Sequence, residues 1–377
     1  MKIYISILIT VILLTGCKDQ IKTEREKGIN LSKAMGEVKD ENFDKAILKR
    51  KFIFPEDHGP HKGFRTEWWY FTGNLSSTDN KKFGYQLTIF RTSLSSEKNS
   101  GTSEWSSNQI YMAHFTVTDI SNDKFYFDEK FSRDGNELAG AQSEPFKVWL
   151  EDWQIIESEN RAAFDLPVIN VKAKTDNAEI NFILESTKPV VLQGDEGLSR
   201  KGSQPGNASY YYSYTNLRTE GKIYIEGKEM NVNGNSWMDR EWSTSALSED
   251  QKGWDWFALQ LDDSTEIMYY QMRKKDGSPD NFSNGVIVNK SGDTDKLSKE
   301  DVELIVTDNW KSPSEDNYPS GWNLKIPSRN IDLNIKPAVS DQLLNVTIKY
   351  WEGSVNIEGT KNNSKITGRG YAELTGY

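Results

Sequence analysis

The residues best suited to chemistry cluster near position 240: Trp237, Asp239, Arg240, Glu241 and Trp242. In an extended chain Arg240 and Trp242 share one face, while Trp237, Asp239 and Glu241 share the other. A carboxyl group in an apolar site has a raised pKa and can protonate an unactivated alkene. An aromatic face then stabilises the carbocation, and water adds or a proton is lost. Asp239 and Glu241 are the candidate acids, with Asp255 as a possible substitute. The same residue types also build an interdomain plug held by ion pairs, and both readings stay open.

A second cluster lies in the stretch from Phe54 to Leu75, where two His (His58, His61), Arg65 and Glu67 precede Trp68-Trp69-Tyr70-Phe71. With period 2, Arg65, Glu67, Trp69 and Phe71 share one face of a strand; Thr66, Trp68, Tyr70 and Thr72 share the other. Large rings on both faces predict a strand that is covered on both sides or lines a cavity. Charges among rings need partners. Arg65 is therefore expected to pair with Glu67 or Glu241, and Arg240 with Asp239 or Asp255. The two clusters are expected to meet near a domain junction. Trp69, Tyr70, Trp242 and Trp256 are the candidate walls of an apolar ligand pocket.

Other chemistries find little support. His58 and His61, beside Glu56 and Asp57, could hold one ion, and His114 is the only other histidine. The pair has neither helix nor zinc-finger spacing, and Gly59-Pro60 lies between its members, so it reads as a turn feeding a strand. There is no Gly-x-Ser-x-Gly elbow and no Gly-x-Gly-x-x-Gly loop. No metal and no cofactor is expected. The formal net charge of −10 argues against nucleic acid as a partner.

The elements that must position these residues are strands. Alternating, β-rich segments bounded by turn residues run from about residue 51 to the C-terminus. Asp134-Gly135, Glu226-Gly227-Lys228 and Asp276-Gly277 read as hairpin turns. Many short strands at close spacing predict an all-β chain with two sandwiches or barrels. The polar loop Ser248–Gly253 divides the Trp-rich region, giving domains over 51–247 and 248–377. Before them, residues 18–50 read as a polar tether with a short helix around Leu31–Leu48. Lys2, the apolar run Ile3–Leu14 and Leu14-Thr15-Gly16-Cys17 have the layout of an export signal ending in a lipobox. Cys17 is the only cysteine and the expected lipidation site, which predicts a bacterial lipoprotein held in the cell envelope by its lipid.

Several blocks carry a resemblance over nearly the whole chain after about residue 50. They are Phe54–Leu75, Met112-Ala-His114-Phe115, Gly234–Ser245, Gly253–Asp262 and Gly368–Tyr377. Together they resemble the hydroxyneurosporene synthase/carotenoid 1,2-hydratase (AttH-like) family. The resemblance implies two lipocalin-like (calycin) antiparallel β-barrels in tandem. It also implies a catalytic His-x-Trp and Tyr-x-Asp. The first falls at Arg240 and Trp242, with Arg in place of His. The second falls in Tyr269–Met272, where Tyr270 is available but the Asp is not. Trp242 and Tyr270 thus join Asp239 and Glu241 as candidate catalytic residues.

Three functions compete. The leading expectation is an anchored lipoprotein binding a hydrophobic lipid or isoprenoid. The alternative is a cofactor-independent hydratase, lyase or cyclase acting on an alkene or polyene. The third is a structural envelope lipoprotein with a Trp-rich protein interface. A purely apolar pocket points to the first, a pocket containing a carboxyl to the second, and a filled cavity to the third.

Overall fold

The alternating segments pair into two large antiparallel sheets in a computed structural model, which describes residues 29–30, 42–97, 106–159, 166–245 and 247–377. Cys17 and the expected export signal lie outside the described residues. The first sheet has 13 strands between Thr66 and Ser243, and its centre is the run Gln109–Asp119, Lys82–Ser93, Thr66–Ser77, Lys228–Ser243, Ala208–Ile225. The second has 11, centred on Glu266–Lys274, Gln251–Leu261, Ser364–Leu374, Ile348–Lys361. The two-residue strand Ile29–Asn30 joins the second sheet in parallel with Ile348–Lys349. The fold is all-β, with two antiparallel sheets as the sequence predicts.

Strand length comes from local chemistry. Glu226 and Gly227 both have positive φ (50° and 78°), and Ile225 pairs with Lys228. That is the tight turn whose twist matches the flanking strands, and it joins the two longest strands into one hairpin. Asp134-Gly135 differs from expectation. It opens a short 3-10 turn, Gly135–Glu137, that leads away from the preceding strand.

Each sheet curls around its own core. The first encloses Trp69, Phe71, Leu87, Phe115, Trp153, Tyr212 and Trp242, the second Phe257, Tyr269, Trp322, Leu333 and Trp351. A third apolar cluster joins the outer faces of both sheets and includes Tyr70, Tyr211, Trp237, Trp256, Tyr270 and Tyr371. Polar contacts fix this junction. Lys188 is buried against Glu266 and donates to the carbonyls of Ser264 (2.8 Å) and Asn289 (2.7 Å). Asn74 Nδ2 donates to the Gly370 carbonyl at 3.1 Å.

The described end of the expected tether is part of the body. Phe43 and Ala46 are buried. Thr244 Oγ1 donates to the Asp44 carbonyl (2.6 Å), and Tyr210 Oη to that of Leu48 (2.7 Å). Residues 42–48 contain no helix. The expected helix fails there because Ala46 packs into the first core and the Asp44 and Leu48 carbonyls are taken by the Thr244 and Tyr210 side chains.

Candidate active site

The site forms where the outer faces of the two sheets meet. On the first sheet, ladder pairing aligns Tyr70, Asp239 and Ser213 in one row and Trp68, Glu241 and Tyr211 in the next. Directly opposed residues share a face, so the strand Lys228–Ser243 points Asp239 and Glu241 outward. On the second sheet, Glu352, Glu373, Trp256 and Tyr270 form one row across four strands. The two faces enclose a cavity of about 110 Å³. Lys201, Trp254 and Leu247 also line it.

Three carboxyl groups in this wall have pKa values raised above the usual carboxylate range. Burial pushes Asp239 up to about 7, against hydrogen bonds that stabilise its anion. Ser213 Oγ (2.5 Å) and Trp237 Nε1 (2.7 Å) donate to Oδ1, and Tyr211 Oη donates to Oδ2 (2.5 Å). Burial likewise raises Glu352 well above the usual carboxylate range, and the charge of Glu373 adds to it. Glu352 Oε1 accepts from Tyr70, and Tyr350 is a second hydroxyl neighbour of the carboxyl. Glu373 is raised to about 8 by burial, with the charges of Asp239 and Glu241 reinforcing the shift. Its Oε1 accepts from Trp254 Nε1 at 3.1 Å. Glu352 and Glu373 oppose each other on adjacent strands. Two such neighbours do not ionise together easily, so the pair retains a proton. Beside them, burial lowers His114 to about 3, which keeps the imidazole neutral. Its Nδ1 lies 2.7 Å from Tyr350 Oη.

The model for AttH-like proteins matches residues 45–377. The chain belongs to the AttH-like family. This AttH-like chain superposes on the crystal structure of an AttH protein from Nitrosomonas europaea with a TM-score of 0.77 at 32% identity, over 89% of this chain and 100% of the other. Kievitone hydratase from Nectria haematococca shares the fold, with a TM-score of 0.65 at 17% identity over 89% of this chain and 97% of that one. In sequence, kievitone hydratase of Fusarium solani subsp. phaseoli is 23% identical over 210 residues. That alignment covers 54% of this chain and 58% of the relative, little more than half its length.

The AttH-like fold separates the residues that the sequence grouped. Asp239, Glu241, Tyr70, Trp256 and Tyr270 all line the cavity. Trp69 and Trp242 do not: both lie in the core of the first sheet, one residue out of phase with the cavity face. Trp242 stacks on His61 at 3.7 Å between ring centres. Arg240 shares that inner face, so the position the resemblance gives to a catalytic His points away from the cavity.

The ion pairs also differ from expectation. Arg240 bonds to Glu67, together with Arg91, rather than to Asp239 or Asp255. Burial alone would raise Glu67, but Arg240, Arg91 and His61 outweigh it and hold the carboxyl well below the usual range. Asp255, on the inner face of its strand, pairs with Arg273 at 3.0 Å. The backbone N–H of Arg65 donates to Thr244 Oγ1 at 3.1 Å. His58 Nδ1 lies 2.7 Å from Tyr212 Oη, and His61 Nε2 lies 2.9 Å from Asp57. Glu352 and Glu373 are absent from the sequence-based candidates. Their signal is a repeated Tyr-x-Glu, Tyr350-Trp-Glu352 and Tyr371-Ala-Glu373, which sets a carboxyl and a ring on one face of a strand.

Proposed function

We propose that this protein is a hydratase that adds water across a carbon–carbon double bond of an apolar substrate held between its two sheets. The observation that carries this reading is the set of three carboxyls with raised pKa values, Asp239, Glu352 and Glu373, in an aromatic cavity. A carrier needs only the aromatic wall, so the carboxyls favour the enzyme over the ligand-binding reading. The relationship to kievitone hydratase points the same way.

The reaction needs an acid, a stabilising surface and a base. Glu373 is only half-buried and holds its proton at neutral pH, so it is placed as the general acid. Its proton goes to one alkene carbon, and the positive charge develops on the other. The faces of Trp256, Trp68 and Tyr70 stabilise that charge. Water attacks the cation and gives its proton to Asp239 on the opposite wall. With a pKa near 7, Asp239 is partly ionised at neutral pH and can accept it. Its three donors hold the carboxylate ready for this role. The chain is left with Glu373 ionised and Asp239 protonated, and one proton exchange restores the start. Reversal of the same steps is dehydration.

The test is product analysis with prenylated alkenes alongside tryptophan quenching. Glu373→Gln and Asp239→Asn should each lower turnover by about 10²–10⁴-fold and leave binding within about threefold. Full turnover in both variants would sink the assignment. The lipid anchor is proposed from sequence alone. Cys17→Ser should move the protein from the membrane pellet to the soluble fraction, and retention in the pellet would refute it.

A further inference from the structure

We infer that the substrate carries an uncharged hydroxyl group, which Lys201 and Glu241 recognise at the end of the cavity away from Glu352 and Glu373. This inference rests on the hydratase reading for its double bond but on separate residues for its head group. Lys201 Nζ lies over the Tyr270 ring at 4.1 Å and the Tyr211 ring at 5.4 Å. Its carboxylate partner among the described residues is Glu241, at 3.4 Å. An ammonium has three donors; Glu241 and Tyr270 engage it, which leaves a third donor for the cavity. Burial works against its charge, but Glu241 and Tyr270 outweigh that effect and raise its pKa, so the cation persists.

The pair is a donor beside an acceptor. A hydroxyl satisfies both: it accepts from Lys201 and donates to Glu241. A hydrocarbon satisfies neither and leaves a desolvated ion pair against carbon. A carboxylate meets Lys201 but sits against Glu241, with Asp239 nearby. Ser209, Ser243 and Ser245 extend the polar wall at this end.

The sheet also fixes a length. From Glu373 through Trp256 to Tyr270 there are two strand spacings, or roughly 10 Å. The hydroxyl therefore stands several carbons from the bond that is hydrated. The chemical class is an isoprenoid alcohol or another alkene with a distal hydroxyl.

The test uses three probes that share one carbon skeleton: geraniol, its deoxy hydrocarbon and geranic acid. Affinity is read by tryptophan quenching in the full chain and requires no turnover. The alcohol should bind about tenfold more tightly than either analogue. In Lys201→Met that preference over the hydrocarbon should fall below about twofold, with hydrocarbon binding retained. Glu241→Gln removes the repulsion and should bring geranic acid to within about threefold of the alcohol. An unchanged preference in Lys201→Met, or tightest binding of the acid by the unaltered protein, would overturn the inference. Preference for the alcohol with no hydrated product refutes the hydratase reading and supports the recognition. Product without preference does the reverse.

Discussion

Asp239, Glu352 and Glu373 give the molecule its pH behaviour. In each the folded pKa lies above the unfolded value, so the folded chain binds its proton more tightly. That contribution to stability is fully present below the unfolded pKa of about 4 and is lost as pH rises through the folded values. Thermal unfolding should therefore occur at a lower temperature at about pH 8.5 than at about pH 5.5. Glu352→Gln has no proton to lose, so it should flatten the dependence and raise stability at the alkaline end. A melting temperature that climbs with pH over this range would contradict the assignment. In the proposed mechanism turnover should be bell-shaped over the same range, rising as the base Asp239 ionises at about 7 and falling as the acid Glu373 ionises at about 8.

At the scale of the element, a strand has two faces with different tasks. Thr66–Ser77 turns Glu67, Trp69 and Phe71 into the first core, while Trp68 and Tyr70 face the cavity. Glu67 ties that strand to two neighbours through Arg91 and Arg240. Glu67→Gln leaves two buried guanidiniums without their carboxylate, and by chemical denaturation it should lower stability by about 3–5 kcal/mol. An effect below about 1 kcal/mol would mean that water already compensates these charges. Gly84 shows how closely the sheets approach. A Cβ there would lie 2.8 Å from Ser354 Cβ and 3.1 Å from Tyr371 Oη on the other sheet. Gly84→Val should force the faces apart, weakening ligand quenching more than it changes the far-ultraviolet spectrum. Wild-type ligand binding in that variant would show that the junction yields.

For the whole molecule, the junction is both a core and the candidate active site, so its rigidity bears on the proposed function. Lys188 and Glu266 clasp the two sheets from opposite sides of the junction. Lys188→Met strands a buried carboxylate and should destabilise the fold by about 3–5 kcal/mol. The double change Lys188→Met with Glu266→Leu should recover most of the loss, since a well-packed apolar pair can replace a buried ion pair. Calorimetry that finds the double variant as unstable as the single one would mean that Glu266 is needed for its bonds to Asn216 and Thr215.

Sequence alone determined the strand periodicity, and with it the all-β class. It also showed that Trp68–Phe71 carries rings on both faces and that Asp239 and Glu241 share a face apart from Arg240 and Trp242. These are local properties, because side-chain direction alternates with period 2 along any one strand. It did not determine which face points outward, and this is why Trp69 and Trp242 stood among the expected cavity walls. Nor did it determine partners across strands. Glu67 meets Arg91 and Arg240, and Glu352 meets Glu373, through register that turn geometry and core packing set over long sequence separations. The pKa shifts depend on burial at the junction, and that burial exists only once the second sheet covers the first. A carboxyl on an exposed strand face is an ordinary surface acid; burial in the tertiary structure raises the pKa of these three.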